Sequence, residues 1–424
     1  MTCPNPSPSY GNYLAGTLFS PTFNTNVTPP LPNSAKPSYP TPMQGECLCD
    51  CPFIAALASI AWVNRNFIIN NIASPNPGTY TVNFWDYPAA SYPPPVPLPG
   101  PNLGIQLNPV ATLGNPQLTP VVVNGTIPLD STSSPIDTSI TPNMYYGAGS
   151  SNNNEIWPSV YEKAYAKFCL YKNQIPIAAN GNLPLTVANL ADPTKDPTFS
   201  EVQSLTQVLW GGNAGIGMMY LTGLNCWAYN LYSTSFTPIG GLSGTAATTS
   251  IYTYIKTGFC SQNVTIYGVN KTRYPLVAWT YPSENASPAG LYNAITNPNG
   301  IQYDPAGIIA GHCYPVLGVF STVNGNYIAL RTTFGVQNPN PNIPALNPPN
   351  LAVPPNPASW SCYDALFRIG AVASVYPSQL VPHPNNISIN LSNGIFGIEG
   401  NSFGATGLTT FQNYFAAIGW AQGF

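Results

Sequence analysis

The 424-residue chain predicts an α+β protein of two lobes, a mostly helical half followed by a mostly β half. Three observations carry that reading. After Cys51, "CPFIAALASIAWVNRNFIINNI" spaces its apolar groups as a helix does, with Pro52 suited to a first helical position. "NEIWPSVYEKAYAKFCLYK" gives a second helix, with Trp157, Tyr161, Ala164, Tyr165 and Phe168 on one face. In the second half, "GHCYPVLGVFSTVNGNYIALRTTFG" is two β-rich runs around Asn324-Gly325, a pair that tolerates the positive φ angles of a tight hairpin. With 44% apolar and 12% aromatic residues, the chain has material for a sizeable core.

Taken in order, residues 1–40 are Pro- and Tyr-rich without periodicity and read as an N-terminal arm. Residues 41–215 form the helical lobe. It is interrupted at 75–145 by a Pro-rich insertion with a few short strands, and its third helix is expected over "TFSEVQSLTQVLW", before Gly211 and Gly212. Residues 216–376 form the β-rich lobe, with a short helix at "SIYTYIKTGF", a strand at "YPLVAWTY", then the hairpin. A Pro/Asn-rich loop spans 337–358, and 377–424 reads as a C-terminal extension. No internal repeat is seen. A cleft between a helical and a β lobe is the natural place for chemistry.

Charge narrows the function. Eleven Lys plus Arg and 14 Asp plus Glu make 6% charged residues, against ~25% in an ordinary domain. So few basic groups, at net charge −3, do not neutralise a run of phosphates, which argues against a nucleic-acid partner. No basic amphipathic helix marks a membrane surface, and no run of apolar residues is long enough to span a bilayer. Prolines number 49 of 424, more than twice the usual ~5%. A surface rich in Tyr and Asn and poor in charge suits dense assembly, an acidic habitat or a glycan coat. Asn-X-Ser/Thr sites stand at Asn26, Asn124, Asn263, Asn270, Asn285, Asn386 and Asn390. The opening "MTCPNPSPSYGNYLAG" is polar and Pro-rich, unlike a secretory leader, so a cytoplasmic or virion-associated location is expected, or an extracellular one by non-classical export.

The stretch "QGECLCDCPFIAALASIAW" places cysteines at 47, 49 and 51. C-x-C-x-C lacks the spacers of a zinc clip, and His312 and His383 are not spaced as a ligand pair, so neither metal nor cofactor is expected. Nine cysteines also make a complete disulfide framework a poor default. Cys51 has a different prospect. At a helix N-terminus the unpaired N–H groups and the positive end of the dipole favour thiolate over thiol. An inert, buried cysteine fits the same position. A nucleophilic thiol needs an imidazole, and of the two histidines His383 lies in the loop "VPHPNN", whereas His312 opens a strand behind a glycine.

At these residues the sequence resembles the calpain-type cysteine proteases. "QGECLCDCPFIAALASIAW" is similar to their Q-G-x-x-G-D-C-W-[FL]-L-A-A-[LI]-A-[SA]-[LI] signature, "IWPSVYEKAYAKF" to W-x-x-L-[LI]-E-K-A-Y-A-K, "GIIAGHCYPVLGV" to G-[LI]-x-x-G-H-A-Y-[ST]-V, and "YIALRTTFG" to L-[IV]-x-L-R-N-P-W-G. "LWGGNAGIGMMYLTG" fits the intervening G-G-x-x-x-E-A-x-x-x-L-T-G more loosely. These five blocks fall in the family's order between residues 44 and about 376. The resemblance implies a papain-like fold, a Cys/His/Asn triad in the cleft and cleavage of peptide bonds. Carried over by position, Cys51 is the nucleophile, His312 the general base, and Gln44 the amide that completes an oxyanion hole. Gln44 stands seven residues before Cys51, where the family has six.

Other positions depart from the pattern. The triad Asn position holds Thr332, the shielding tryptophan is Phe334, the glycine before Asp50 is Cys49, and the tryptophan after the nucleophile is Pro52. With 14 carboxylates and no EF-hand pattern, calcium independence is expected. "EKAYAK", with Glu162, Lys163 and Lys167, reads as structural support for the cleft. The expected activity is a calcium-independent cysteine endopeptidase acting on protein or peptide substrates. The alternative is a protease-fold protein of little or no turnover, serving in a virion or extracellular filament and assembling through its Pro-rich arms.

Overall fold

The computed structural model describes residues 9–12, 42–43, 50–87, 115–129, 149–150, 156–198, 201–202, 205, 214–224, 226–230, 250–266, 269–280, 295–296, 302–303, 311–322, 325–331, 333, 395–401 and 409–424. The protein is α+β. Helices α1 (Cys51–Val63) and α2 (Arg65–Asn70) precede an antiparallel meander of β1 (Ile72–Asn76), β2 (Thr79–Asp86) and β3 (Gln117–Asn124). Then come α3 (Trp157–Lys172) and α4 (Ala214–Thr222). The second half contains β4 (Cys226–Asn230), α5 (Ile251–Phe259), β5 (Cys260–Ile266), β6 (Val269–Thr272), β7 (Leu276–Thr280) and β8 (Cys313–Thr322). It closes with β9 (Gly325–Arg331), β10 (Ile395–Glu399), α6 (Thr410–Tyr414) and β11 (Phe415–Ala421).

These eight later strands make one antiparallel sheet in the order β4-β11-β7-β8-β6-β5, with β9 also on β8 and β10 beyond β9. The two-residue period of a strand sorts its faces. Val277, Trp279, Cys313, Ala417 and Ala421 join the core shared with α1, α3 and α4, whereas Leu276, Ala278, Tyr314, Val316 and Ile418 join the core under α5 and α6. The sheet is thus covered on both faces.

Helix α1 lies at the centre. It buries twelve of its thirteen residues, as a helix apolar on every side must. Pro52 sits in the first turn, where a missing N–H costs nothing, and the Asp50 carbonyl accepts from the Phe53 and Ile54 amides at 2.8 and 3.1 Å. Against α4, Gly217 leaves so little room that a Cβ there would meet Phe53 at 3.3 Å and Ala56 at 3.4 Å. Against α3, Phe53 stacks on Tyr165 with centroids 3.8 Å apart. The expected single helix breaks at Asn64, whose backbone leaves helical geometry (φ −145°, ψ 88°) while its side chain caps α2 through the Phe67 amide.

The expected hairpin forms, with Thr322 opposite Gly325. Within it Gly318 takes φ +149° at a bulge, and a Cβ there would stand 2.0 Å from the Asn270 carbonyl oxygen of β6. The stretch 377–424, expected as an extension, supplies β10, α6 and β11, and β11 lies inside the sheet between β4 and β7. Likewise β2 and β3 put Val82, Phe84, Val121 and Val123 into the core, so the segment 75–145 is partly core. The helix expected over "TFSEVQSLTQVLW" falls largely outside the described residues, whereas α4, with its two glycines, is a helix the periodicity did not reveal. Segment Ser9–Asn12 of the N-terminal arm pairs with Thr126–Leu129. Among the described residues, no helix is long and apolar enough to cross a membrane.

Candidate active site

Two elements of different origin bring Cys51 and His312 together. The indole of Trp62, near the end of α1, donates to the Leu317 carbonyl of β8 at 2.7 Å. Lys271 of β6 caps the same end, donating to the Val63 carbonyl at 3.2 Å with its ammonium 5.4 Å from the Trp62 ring centroid. A cation there suits the negative end of the helix dipole. From Trp62 back to Cys51 is about 16 Å of helix, and from Leu317 back to Cys313 about 13 Å of strand. Pinned at one end and running alongside, α1 and β8 therefore present Cys51 and His312 at the other.

There the Cys51 thiol is coupled electrostatically to the His312 imidazole and the Cys313 thiol. All three residues are buried, at 2%, 3% and 3% exposure. The His312 backbone is fixed by Thr280 at the end of β7: the His312 amide donates to Thr280 Oγ1 at 2.9 Å and its carbonyl accepts from the Thr280 amide at 3.0 Å. The imidazole Nε2 is 2.6 Å from Thr333 Oγ1, and Tyr314 meets the ring edge to face at 5.1 Å. Thr333 thereby engages Nε2.

The threonine expected to orient His312 was Thr332; the one bonded to it is Thr333. Burial pushes the Cys51 thiol well above its ordinary 9.0, the Cys313 thiol adds to the rise, and the His312 imidazole opposes it. At rest the sulfur is therefore protonated.

Just before the thiol, Asp50 is 4% exposed, and neither of its side-chain oxygens accepts a hydrogen bond from a described donor. Facing it is the buried Glu162 carboxyl of α3. Two carboxyl groups bond each other only through a proton, and burial raises Asp50 from 3.8 to about 6. The rest of "EKAYAK" ties α3 to the meander. Lys163 bonds the Asn124 carbonyl, Asn124 Oδ1 and Asp196; Lys167 bonds the Val122 and Asp192 carbonyls and Asp196, at 2.7, 2.7 and 3.1 Å. Asn124, one of the acceptor motifs for glycans, is thus engaged internally.

Of the residues singled out in the sequence, Cys51 and His312 are brought together. Gln44, Cys47, Cys49, Thr332, Phe334 and His383 lie outside the described residues. Thr333, Thr280 and Asp50 join the site without an expected role; Cys313, in sequence a neighbour whose disulfide to Cys51 would switch the enzyme off, and Glu162, in sequence a support of the cleft, join it as well. The first turn of α1 is the signal that could have found Asp50. Among the described residues, no three His, Cys, Asp or Glu side chains converge as metal ligands do. A scan against models of known protein families finds no match, and no curated protein matches the sequence.

Proposed function

We propose that the chain is a thiol hydrolase of papain-like, two-lobed architecture, and within that class a calpain-like, calcium-independent cysteine endopeptidase. The observation that carries this is the electrostatic coupling of a thiol at the start of a buried helix to an imidazole whose Nε2 is held by a threonine hydroxyl at 2.6 Å. In the proposed reaction His312 takes the Cys51 proton as the sulfur attacks a peptide carbonyl, then gives it to the leaving amine. Thr333 orients the ring for both transfers, with less directional hold than an amide. Water then hydrolyses the thioester, and the Cys51 amide at the head of α1 is placed to meet the oxyanion, with Gln44 as its proposed partner.

A second reading keeps the fold and gives up turnover, leaving an assembly subunit that meets its partners through the Pro-rich arms. The burial of Cys51 favours it, since a thiol 2% exposed and raised well above 9.0 is a poor nucleophile until something reaches it. A peptidyl electrophile such as a peptidyl vinyl sulfone decides between them. The endopeptidase predicts labelling of Cys51 that is lost in Cys51→Ala and greatly slowed in His312→Ala. Labelling no faster than that of a cysteine in the denatured chain would establish the second reading.

A further inference from the structure

The two-residue period of β8 makes Cys313 a partner of Cys51. Cys313 pairs across the sheet with Trp279, and both belong to the core shared with α1, while the next residue, Tyr314, belongs to the opposite face. Cys313 thus faces the start of α1, where Cys51 stands. The two sulfurs are coupled electrostatically, both are free thiols, and the His312 imidazole acts on the same sulfur. In the blocks this sequence resembles, alanine follows that histidine; here a second thiol does.

We propose that Cys51 and Cys313 form a reversible disulfide when the protein meets a hydroperoxide, and that the oxidised form has no free thiol at the candidate site. His312 takes the Cys51 proton and the thiolate attacks one peroxide oxygen. The O–O bond breaks, Cys51 becomes a sulfenic acid, and the departing oxygen leaves as water or an alcohol with the proton from His312. The Cys313 sulfur then attacks the Cys51 sulfur, and the sulfenic oxygen leaves as water with the Cys313 proton. Two thiols give up two electrons and the hydroperoxide accepts them. A dithiol reductant restores both thiols.

The two sulfurs have to close to about 2.05 Å. The bond itself does not depend on the peptidase reading; the loss of turnover that follows from it does.

The full-length chain, reduced and then treated with hydrogen peroxide, is alkylated, digested without reduction and mapped by mass spectrometry. The expected product links the Cys51 and Cys313 peptides and returns to two alkylatable thiols with dithiothreitol. In Cys313→Ala the same treatment carries Cys51 on to sulfinic acid, which dithiothreitol does not reverse. Phenylarsine oxide, which bridges neighbouring thiols without oxidation, is expected to bind the untreated wild type and not Cys313→Ala. Linkage of Cys51 to Cys47, Cys49 or another cysteine, oxidation of Cys51 with Cys313 still free, or failure of wild type to bind phenylarsine oxide overturns the proposal. The peptidyl electrophile separates the two ideas. A reduced protein whose Cys51 stays unlabelled defeats the peptidase and leaves the mapped bond standing, whereas a labelled Cys51 that never links to Cys313 does the reverse.

Discussion

Asp50→Asn is expected to stabilise the protein at neutral pH and to do nothing in acid. Asp50 is raised from 3.8 to about 6, first by burial, against the lowering effect of the Glu162 carboxyl and its own backbone amide. A rise of about two units is worth roughly 3 kcal/mol between the two protonation states. The direction follows from proton linkage. Below pH 3.8 the carboxyl is protonated whether the chain is folded or not, so the group is neutral to stability; above about 6 it is ionised in both, and the folded state bears the whole cost. The penalty grows as pH rises from about 4 to 6. Asparagine has no proton to lose, and its amide can donate to Glu162 at any pH. Urea unfolding of wild type and variant, followed by tryptophan fluorescence at pH 4, 5, 6 and 7.5, should show the two curves coinciding at the acid end. They should part by up to about 3 kcal/mol at the other. A gap that stays constant with pH, or an asparagine variant that is weaker at pH 7.5, would refute a carboxyl raised by burial at this position.

Two further substitutions probe the supports of the site. Thr333→Val keeps the shape and removes the hydroxyl 2.6 Å from His312 Nε2. It is expected to cost about 1–3 kcal/mol in urea unfolding and, on the proposed reaction, to slow peptidyl electrophile labelling roughly a hundredfold, with Thr333→Ser retaining most of both. Lys167→Met takes a fully buried ammonium from two backbone carbonyls and Asp196. A loss of about 3–5 kcal/mol in urea unfolding is expected, and one below about 1 kcal/mol would show that Lys163, 3.0 Å from Asp196, carries that charge alone.

What could be read from the sequence follows from which physical signals are local. The helix at Cys51 announces itself through a long apolar run opened by proline, and the hairpin through Asn324-Gly325, both properties of neighbouring residues. β11 carries no such mark. Its seven residues, "FAAIGWA", are buried on both faces, so the alternation that betrays a half-exposed strand is missing and the segment reads as an extension. Thr332 and Thr333 are chemically the same, so a sequence pattern does not say which of the two reaches His312. "EKAYAK" was legible as support through Lys163 and Lys167. Glu162 turns instead toward Asp50, and that pairing joins residues 112 positions apart.

At Cys51 the physical terms oppose one another, and their sizes decide the outcome. A helix N-terminus favours a thiolate by about 0.3–1 kcal/mol, up to about 2 when partly buried, and the imidazole adds attraction. Removing a charged sulfur from water costs several kcal/mol. Burial therefore wins, and the thiol is raised well above its ordinary 9.0 even beside His312. A sulfur held in that state is not a standing nucleophile. It acts when an electrophilic atom arrives within reach, so that the proton passes to His312 as the new bond forms and no isolated buried anion has to exist. A peptide carbonyl and a peroxide oxygen both meet that requirement, and in the proposed disulfide Cys313 receives the second outcome. Access thus controls Cys51 before basicity does, and for this reason His312→Ala should slow both proposed reactions, while Cys313→Ala should alter only the fate of the oxidised sulfur.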